Sequence, residues 1–436
     1  MMNRSMHLVS AVLAMAAVCA GLQACQEAAP PSTATVTRPA PAGESLPGTG
    51  FAAIPGQKGG QDIFGAYEVV ADWPKDIATL PGHAEWTFGA GQSVFAESPD
   101  RVFVLQRGEL PNIERPTPRQ LPEIGPSISF PIGRLPWRDA TRASPPGALD
   151  GDDRDVYGDG TDRSGIDFRW EHCVLVFDRE GNVIENWTQW DSLLRRPHAV
   201  YISPYDPEKH VWIVDDYRHA IFKFSNDGSE LVQTIGVPNE RGSDERHFYR
   251  PTFIAWLPDG SFFVADGYVN TRVVKFDVDG NYLLEWGQKG NPPNDTRPGY
   301  FNNVHGIAVD PATNRVFVSD RQNHRVQVFT EDGDYLDQWR FGDPPSDIHL
   351  FIISNDGYLW AADRGTNRIL KYDLDGNFLY SWGTWGDFPG GMWGVHGMTV
   401  DQEGNFYVAE VDNGGAQKFR PREGAHPDFL VGGAPD

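Results

Sequence analysis

Four histidines recur at one place in a repeated pattern: His198 in RRPHAV, His305 in NNVHGIAV, His349 in SDIHLF and His396 in WGVHGM. Each heads an apolar run and precedes an acidic residue, Asp215, Asp320, Asp363 or Glu410, by 17, 15, 14 and 14 residues respectively. Alone, such a histidine reads as a hydrogen-bonded core residue. Four of the chain's 12 histidines at one repeat position read as a set, and imidazole suits zinc. Three His ligands leave a coordination position for water or substrate, as catalytic zinc sites do. Zinc in such a site acts as a Lewis acid and lowers the pKa of a bound hydroxyl group.

A second set of residues follows the acidic markers. Arg107 (after Gln106), Arg321 and Arg364 occupy that place in three repeats, and Gly267 followed by Tyr268 occupies it in another. Arginine recognises carboxylates through a planar pair of donors, and a tyrosine beside a metal is a candidate for proton transfer. The alternative is that the arginines pair with neighbouring acids and brace the fold, and that Tyr268 only lines a channel.

Elements that bring these residues together are legible as repeats. VWIVDDYRHAIFKFSNDG, FFVADGYVNTRVVKFDVDG, VFVSDRQNHRVQVFTEDG and LWAADRGTNRILKYDLDG each read as two strands around a polar turn. FYVAEVDNGGAQKF is a fifth unit, and VFVLQRG with CVLVFDREG is a split sixth. The markers Asp215, Asp266, Asp320, Asp363 and Glu410 are 51, 54, 43 and 47 residues apart, the length of a four-stranded propeller blade. The expectation is an all-β, six-bladed β-propeller, with YEVVADWP closing the ring as the outer strand of the last blade. The histidines then head the innermost strands of blades two, four, five and six and meet on the axis, with Thr252 at the same place in blade three. Residues 111–170, rich in Pro, Gly and Asp, form a long insertion in the first blade and are expected to act as a lid.

Composition narrows the partners. With 37 Lys+Arg against 60 Asp+Glu, the formal charge of −23 excludes a nucleic-acid binder, which needs clustered positive charge. At the N-terminus Arg4 precedes LVSAVLAMAAVCAGL, which ends at Leu22-Gln23-Ala24-Cys25 and resembles a bacterial lipobox. Residues 1–24 are therefore expected to be a lipoprotein signal peptide, with Cys25 lipidated. Gln26 in place of Asp points to the periplasmic face of the outer membrane. Residues 25–60 read as a disordered tether, residues 61–436 as the propeller, and the lipid anchor as the sole membrane contact. Once Cys19 and Cys25 are accounted for, Cys173 stands alone and has no partner for an intramolecular disulfide.

The same phrases carry a family resemblance. Over residues 90–421 the chain resembles the peptidyl-α-hydroxyglycine α-amidating lyases, NHL-repeat propellers with a central zinc. RRPHAV, NNVHGIAV and WGVHGM resemble the family's zinc-ligand segments, implying ligands at His198, His305 and His396. VADGYVNTRVVKF resembles the segment with the catalytic tyrosine, here Tyr268. VFVLQRGE and VSDRQNHRVQVF resemble those with active-site arginines, here Arg107 and Arg321. The implied reaction cleaves the C–N bond of a peptidyl-α-hydroxyglycine-like carbinolamine to an amide and glyoxylate, or acts in the same way on a related hydroxy acid. The implied substrate is a small molecule or peptide bearing a carboxylate.

Two departures bear on that reading. The family's calcium site takes a side-chain Asp where this chain has Gly397, which leaves backbone ligands at Val94 and Val200. His349 and Arg364 add polar groups assigned to substrate contact and favour a more anionic substrate. Two other readings of the fold remain: a non-enzymatic NHL propeller binding a protein or glycan, and a lactonase-like hydrolase. The latter needs acidic and amide calcium ligands where this chain has histidines.

Overall fold

The computed structural model describes residues 53–112, 168–291 and 295–432, with the backbone alone at 119–120 and 129–130. The signal segment, Cys25 and most of the 111–170 insertion lie outside the described residues. Six four-stranded antiparallel sheets follow one another along the chain, as a six-bladed propeller.

The innermost strands are Trp86–Ser98, Pro197–Ile202, Pro251–Trp256, Val304–Asp310, Ile348–Ile353 and Val395–Val400. Each of these pairs with the strand that ends in, or in blade one carries, the marker residue. Burial explains the two kinds of run in the sequence. Phe262–Asp266 and Arg272–Phe276 are buried throughout, so their residues are almost continuously apolar, whereas the outer strand Tyr282–Trp286 alternates between half-buried and exposed. Side chains on successive strand positions face opposite sides, and the middle strands have a neighbouring blade on both.

Ring closure follows the expected route. Tyr67–Val69 pairs antiparallel with Ala416–Pro421, the third strand of blade six. Gly60–Gln61 adds a parallel fifth strand to blade five. Ala53 is buried, and its N–H donates to Asp62. Pairing there satisfies backbone groups on an otherwise open edge.

The acidic markers have a structural task. Asp215, Asp266, Asp320, Asp363 and Glu410 are almost completely buried, and each accepts a backbone N–H from the segment leading into its innermost strand. Asp320 also takes Arg325 Nε at 2.7 Å, Asn323 Nδ2 at 3.0 Å and Gln327 Nε2 at 3.1 Å. Asp320→Ala leaves the Arg325 guanidinium buried without its carboxylate, a change that costs about 3–5 kcal/mol in comparable pairs. The urea midpoint should fall accordingly; an unchanged midpoint would show that the marker carries no structural weight.

Candidate functional site

Near the head of five innermost strands, and midway along Trp86–Ser98, the ladder slips. In all six blades the register shifts beside the residue next to the marker's partner, at Gln92, His198, Thr252, His305, His349 and His396. A bulge re-aims a side chain that would otherwise follow the strand's alternation. It turns the histidines inward, as the repeat spacing requires.

The three imidazoles of His198, His305 and His396 lie together, with one ligand atom from each within 4.8 Å of the others, and all three are buried. Each ring is anchored to the next blade by its Nδ1, to Thr252 O at 2.9 Å, His349 O at 2.6 Å and Gln92 O at 2.6 Å respectively. A carbonyl oxygen only accepts, so all three Nδ1 atoms carry the proton. The Nε2 atoms are left as lone pairs. Such an anchor fixes tautomer and ring orientation in metal-ligating histidines. Phe253 packs against all three rings, at centroid distances of 4.8, 5.1 and 5.7 Å, as an apolar floor.

Tyr268 completes the cluster. A Cβ at Gly267 would lie 1.8 Å from Val304 O, so no side chain fits directly after Asp266 and the next residue turns inward. The Tyr268 hydroxyl lies 3.0 Å from both His198 Nε2 and His305 Nε2. One phenolic proton cannot serve two lone pairs. A divalent cation facing the three Nε2 atoms would remove that conflict. This donor set fits zinc.

Around Tyr268 the charges alternate. Arg250 and Arg321 lie over its ring at 4.6 and 5.9 Å. Asp216, fully buried, pairs with Arg250 at 2.5 Å and with Arg107 and Arg196 at 3.6 and 3.9 Å. Burial disfavours the Asp216 carboxylate, but the guanidinium groups of Arg250, Arg196 and Arg107 outweigh it and hold the carboxyl well below its ordinary range. Arg321 Nε stands 3.2 Å from Asp347 Oδ1 without a hydrogen bond. Arg364 is paired with Asp412 at 2.9 and 3.1 Å. His349 lies 4.7 Å from the His305 ring but turns its Nε2 to Asp347 at 3.0 Å. Its buried Nδ1 is unpartnered.

Sequence reasoning missed Asp216, Arg250, Gln92 and Phe253. Asp216 directly follows a marker, as Arg107 and Arg321 do, so the repeat alignment contained it. Arg250 lies two residues before Thr252, as Arg196 and Asp347 lie before their histidines. Gln92 carries the sixth bulge, hidden by the irregular first blade. For calcium, a Cβ at Gly397 would lie 2.6 Å from Ser93 Cα, so a side-chain ligand has no room there. Val94 and Val200, the expected backbone ligands, are both buried.

Burial lowers the His198 ring to about 3 and the His349 ring to about 4, and holds His305 and His396 well below the ordinary imidazole range. Unfolded imidazoles take protons near pH 6.5, while these stay neutral. Between about pH 6.5 and 4 the unfolded chain therefore binds more protons, and stability falls as pH falls. The four axial rings therefore destabilise metal-free protein as pH falls, more than the buried Asp191 and Asp266 carboxyls, pushed up to about 6, offset. Urea midpoints in chelator at pH 7.5 and 5 check this, and equal midpoints would contradict it.

Six blades, an imidazole cluster on their axis and a tyrosine above it define the class, and the comparisons place the chain within it. Residues 301–329 match the NHL repeat. A Caenorhabditis elegans protein named probable peptidyl-alpha-hydroxyglycine alpha-amidating lyase is 32% identical over 250 residues, covering 55% of this chain and 67% of that protein. Peptidyl-alpha-hydroxyglycine alpha-amidating lyase 1 of Drosophila melanogaster is 34% identical over 281 residues, 60% of this chain and 51% of that one. Peptidyl-glycine alpha-amidating monooxygenase A of Xenopus laevis is 27% identical over 270 residues, 59% of this chain and 28% of the longer protein. The chain belongs to the peptidyl-α-hydroxyglycine α-amidating lyase family. It matches little more than a quarter of the length of the Xenopus monooxygenase.

Proposed function

We propose that the protein is a zinc-dependent carbon–nitrogen lyase acting on an α-hydroxyglycine-type carbinolamine with a free carboxylate. The observation that carries this reading is the axial cluster, where the anchored imidazoles present lone pairs to one point and a tyrosine hydroxyl sits at the same point. Zinc held by His198, His305 and His396 supplies Lewis-acid polarisation of the substrate hydroxyl.

The chain's own residues do the rest. Tyr268, as the phenolate beside the metal, would accept the hydroxyl proton as the C–O bond becomes a carbonyl and return it to the leaving nitrogen. The C–N electrons leave with the nitrogen, which takes up a proton to become the amide, and the remaining fragment is glyoxylate. Atoms and charge balance without electron transfer. Arg321, now ion-paired with Asp347 at 3.2 Å, would exchange that partner for the substrate carboxylate, while Arg107 and Arg250 raise the positive charge around it. Phe253 closes the far side of the cluster against water. The lipid anchor at Cys25, and with it a periplasmic outer-membrane location, belong to the same proposal.

Glyoxylate release from α-hydroxyhippurate by purified protein tests the reading. Activity that disappears with a chelator and returns with zinc is expected. Metal-loaded protein that releases no glyoxylate from this compound or from an α-hydroxyglycine-extended peptide would overturn it.

A further inference from the structure

A second cluster of metal-ligand type lies in blade one, away from the axial histidines. His83, Glu109 and His172 bring ligand atoms within 4.8 Å of one another. His83 Nδ1 is 2.9 Å from Glu109 Oε2, and His172 Nδ1 is 2.6 Å from Glu109 Oε1. The two rings are 4.7 Å apart. Glu109 is fully buried, His172 is 5% exposed and the His83 side chain 12%. Among the described residues no lysine or arginine forms an ion pair with Glu109, so only the imidazoles balance its charge. A buried carboxylate is costly without such a partner.

Three separately held pieces of chain supply the three side chains. His83 is fixed by backbone hydrogen bonds to Leu80 and from Trp86. Glu109 is bridged in both directions to Arg169 across the neck of the 111–170 insertion. His172 sits in the left-handed region at φ 56, unusual for a side-chain-bearing residue. Its N–H donates to Asp191 Oδ2 at 2.9 Å, and its carbonyl accepts from Gln106 Nε2 at 3.0 Å. This held backbone aims His172 at Glu109.

We propose that His83, Glu109 and His172 form a second divalent-metal site, of the two-histidine, one-carboxylate type that takes zinc. Zinc at about 2.0–2.2 Å from N and O ligands separates tetrahedral ligand atoms by roughly 3.4 Å, so the present hydrogen-bond spacings need to open by less than about 1 Å. The ion replaces the Nδ1 protons that now bridge to the carboxylate, and binding releases those protons. Glu109 precedes the insertion and His172 follows it, so a bound ion staples the insertion's two ends to each other and to the segment before blade one. Arg107 lies two residues before Glu109 on the same strand, which links this clamp to the position of an arginine at the axial cluster.

The test is zinc content per chain after equilibration and desalting of full-length protein. Wild type is expected to hold two ions, His83→Ala one, His305→Ala one, and the double variant none. Because His305→Ala removes an axial ligand only, its remaining ion reads the second site whether or not the axial assignment holds. Cobalt substitution of His305→Ala should give a visible absorption band, and Glu109→Gln in that background should abolish it. Equal zinc content in wild type and His83→Ala, or His305→Ala without zinc or a cobalt band, would overturn the proposal and leave the triad as a hydrogen-bonded strut.

Discussion

Tyr268→Phe is expected to lower kcat by about 10²–10⁴-fold, the usual contribution of a positioned proton-transfer group, while zinc content and fold are unchanged. The substitution removes one oxygen, 3.0 Å from His198 Nε2 and His305 Nε2, and keeps the ring beneath Arg250. KM should move far less than kcat, because the arginines proposed to bind the carboxylate remain. A loss confined to KM would make Tyr268 a binding residue. A variant as active as wild type would place proton transfer elsewhere.

His305→Ala should have the larger overall effect. It removes one of three converging nitrogens, a contact of Tyr268 and the Nδ1 bond to the His349 carbonyl, and leaves space beside Phe253. We expect loss of the axial ion on desalting and glyoxylate release at background level. Added zinc should not restore activity at concentrations that saturate wild type. The His305 ring is fully buried, so truncation also costs stability, on the order of 2–4 kcal/mol by analogy with other large-to-small core changes. A folded variant that keeps both ion and activity would remove His305 from the site.

Much of this arrangement is written in the repeats. The marker spacing led to six blades, Tyr67–Val69 closes the ring as its position before blade one suggests, and the phase of His198, His305 and His396 relative to the markers anticipated their meeting. What remained hidden depended on backbone geometry. Strand alternation alone does not place the bulges at Gln92 and Thr252, and it gives no reason for Gly267 to hand the axial place to Tyr268. The Asp216–Arg250 pair joins a residue after one marker to a residue before the next innermost strand, and no local pattern links those two. Arg364 looks like Arg321 in sequence; only the fold reveals that each has a carboxylate partner, Asp412 and Asp347. The His83–Glu109–His172 cluster escaped because its members belong to no repeat position and lie on both sides of the insertion.

Anomalous diffraction from crystals of the zinc-equilibrated protein, recorded on both sides of the zinc edge, tests the central claim most directly. The expected result is a peak on the propeller axis bonded to the Nε2 atoms of His198, His305 and His396, with the Tyr268 oxygen beside it. A catalytically active crystal with no peak at that point would contradict it.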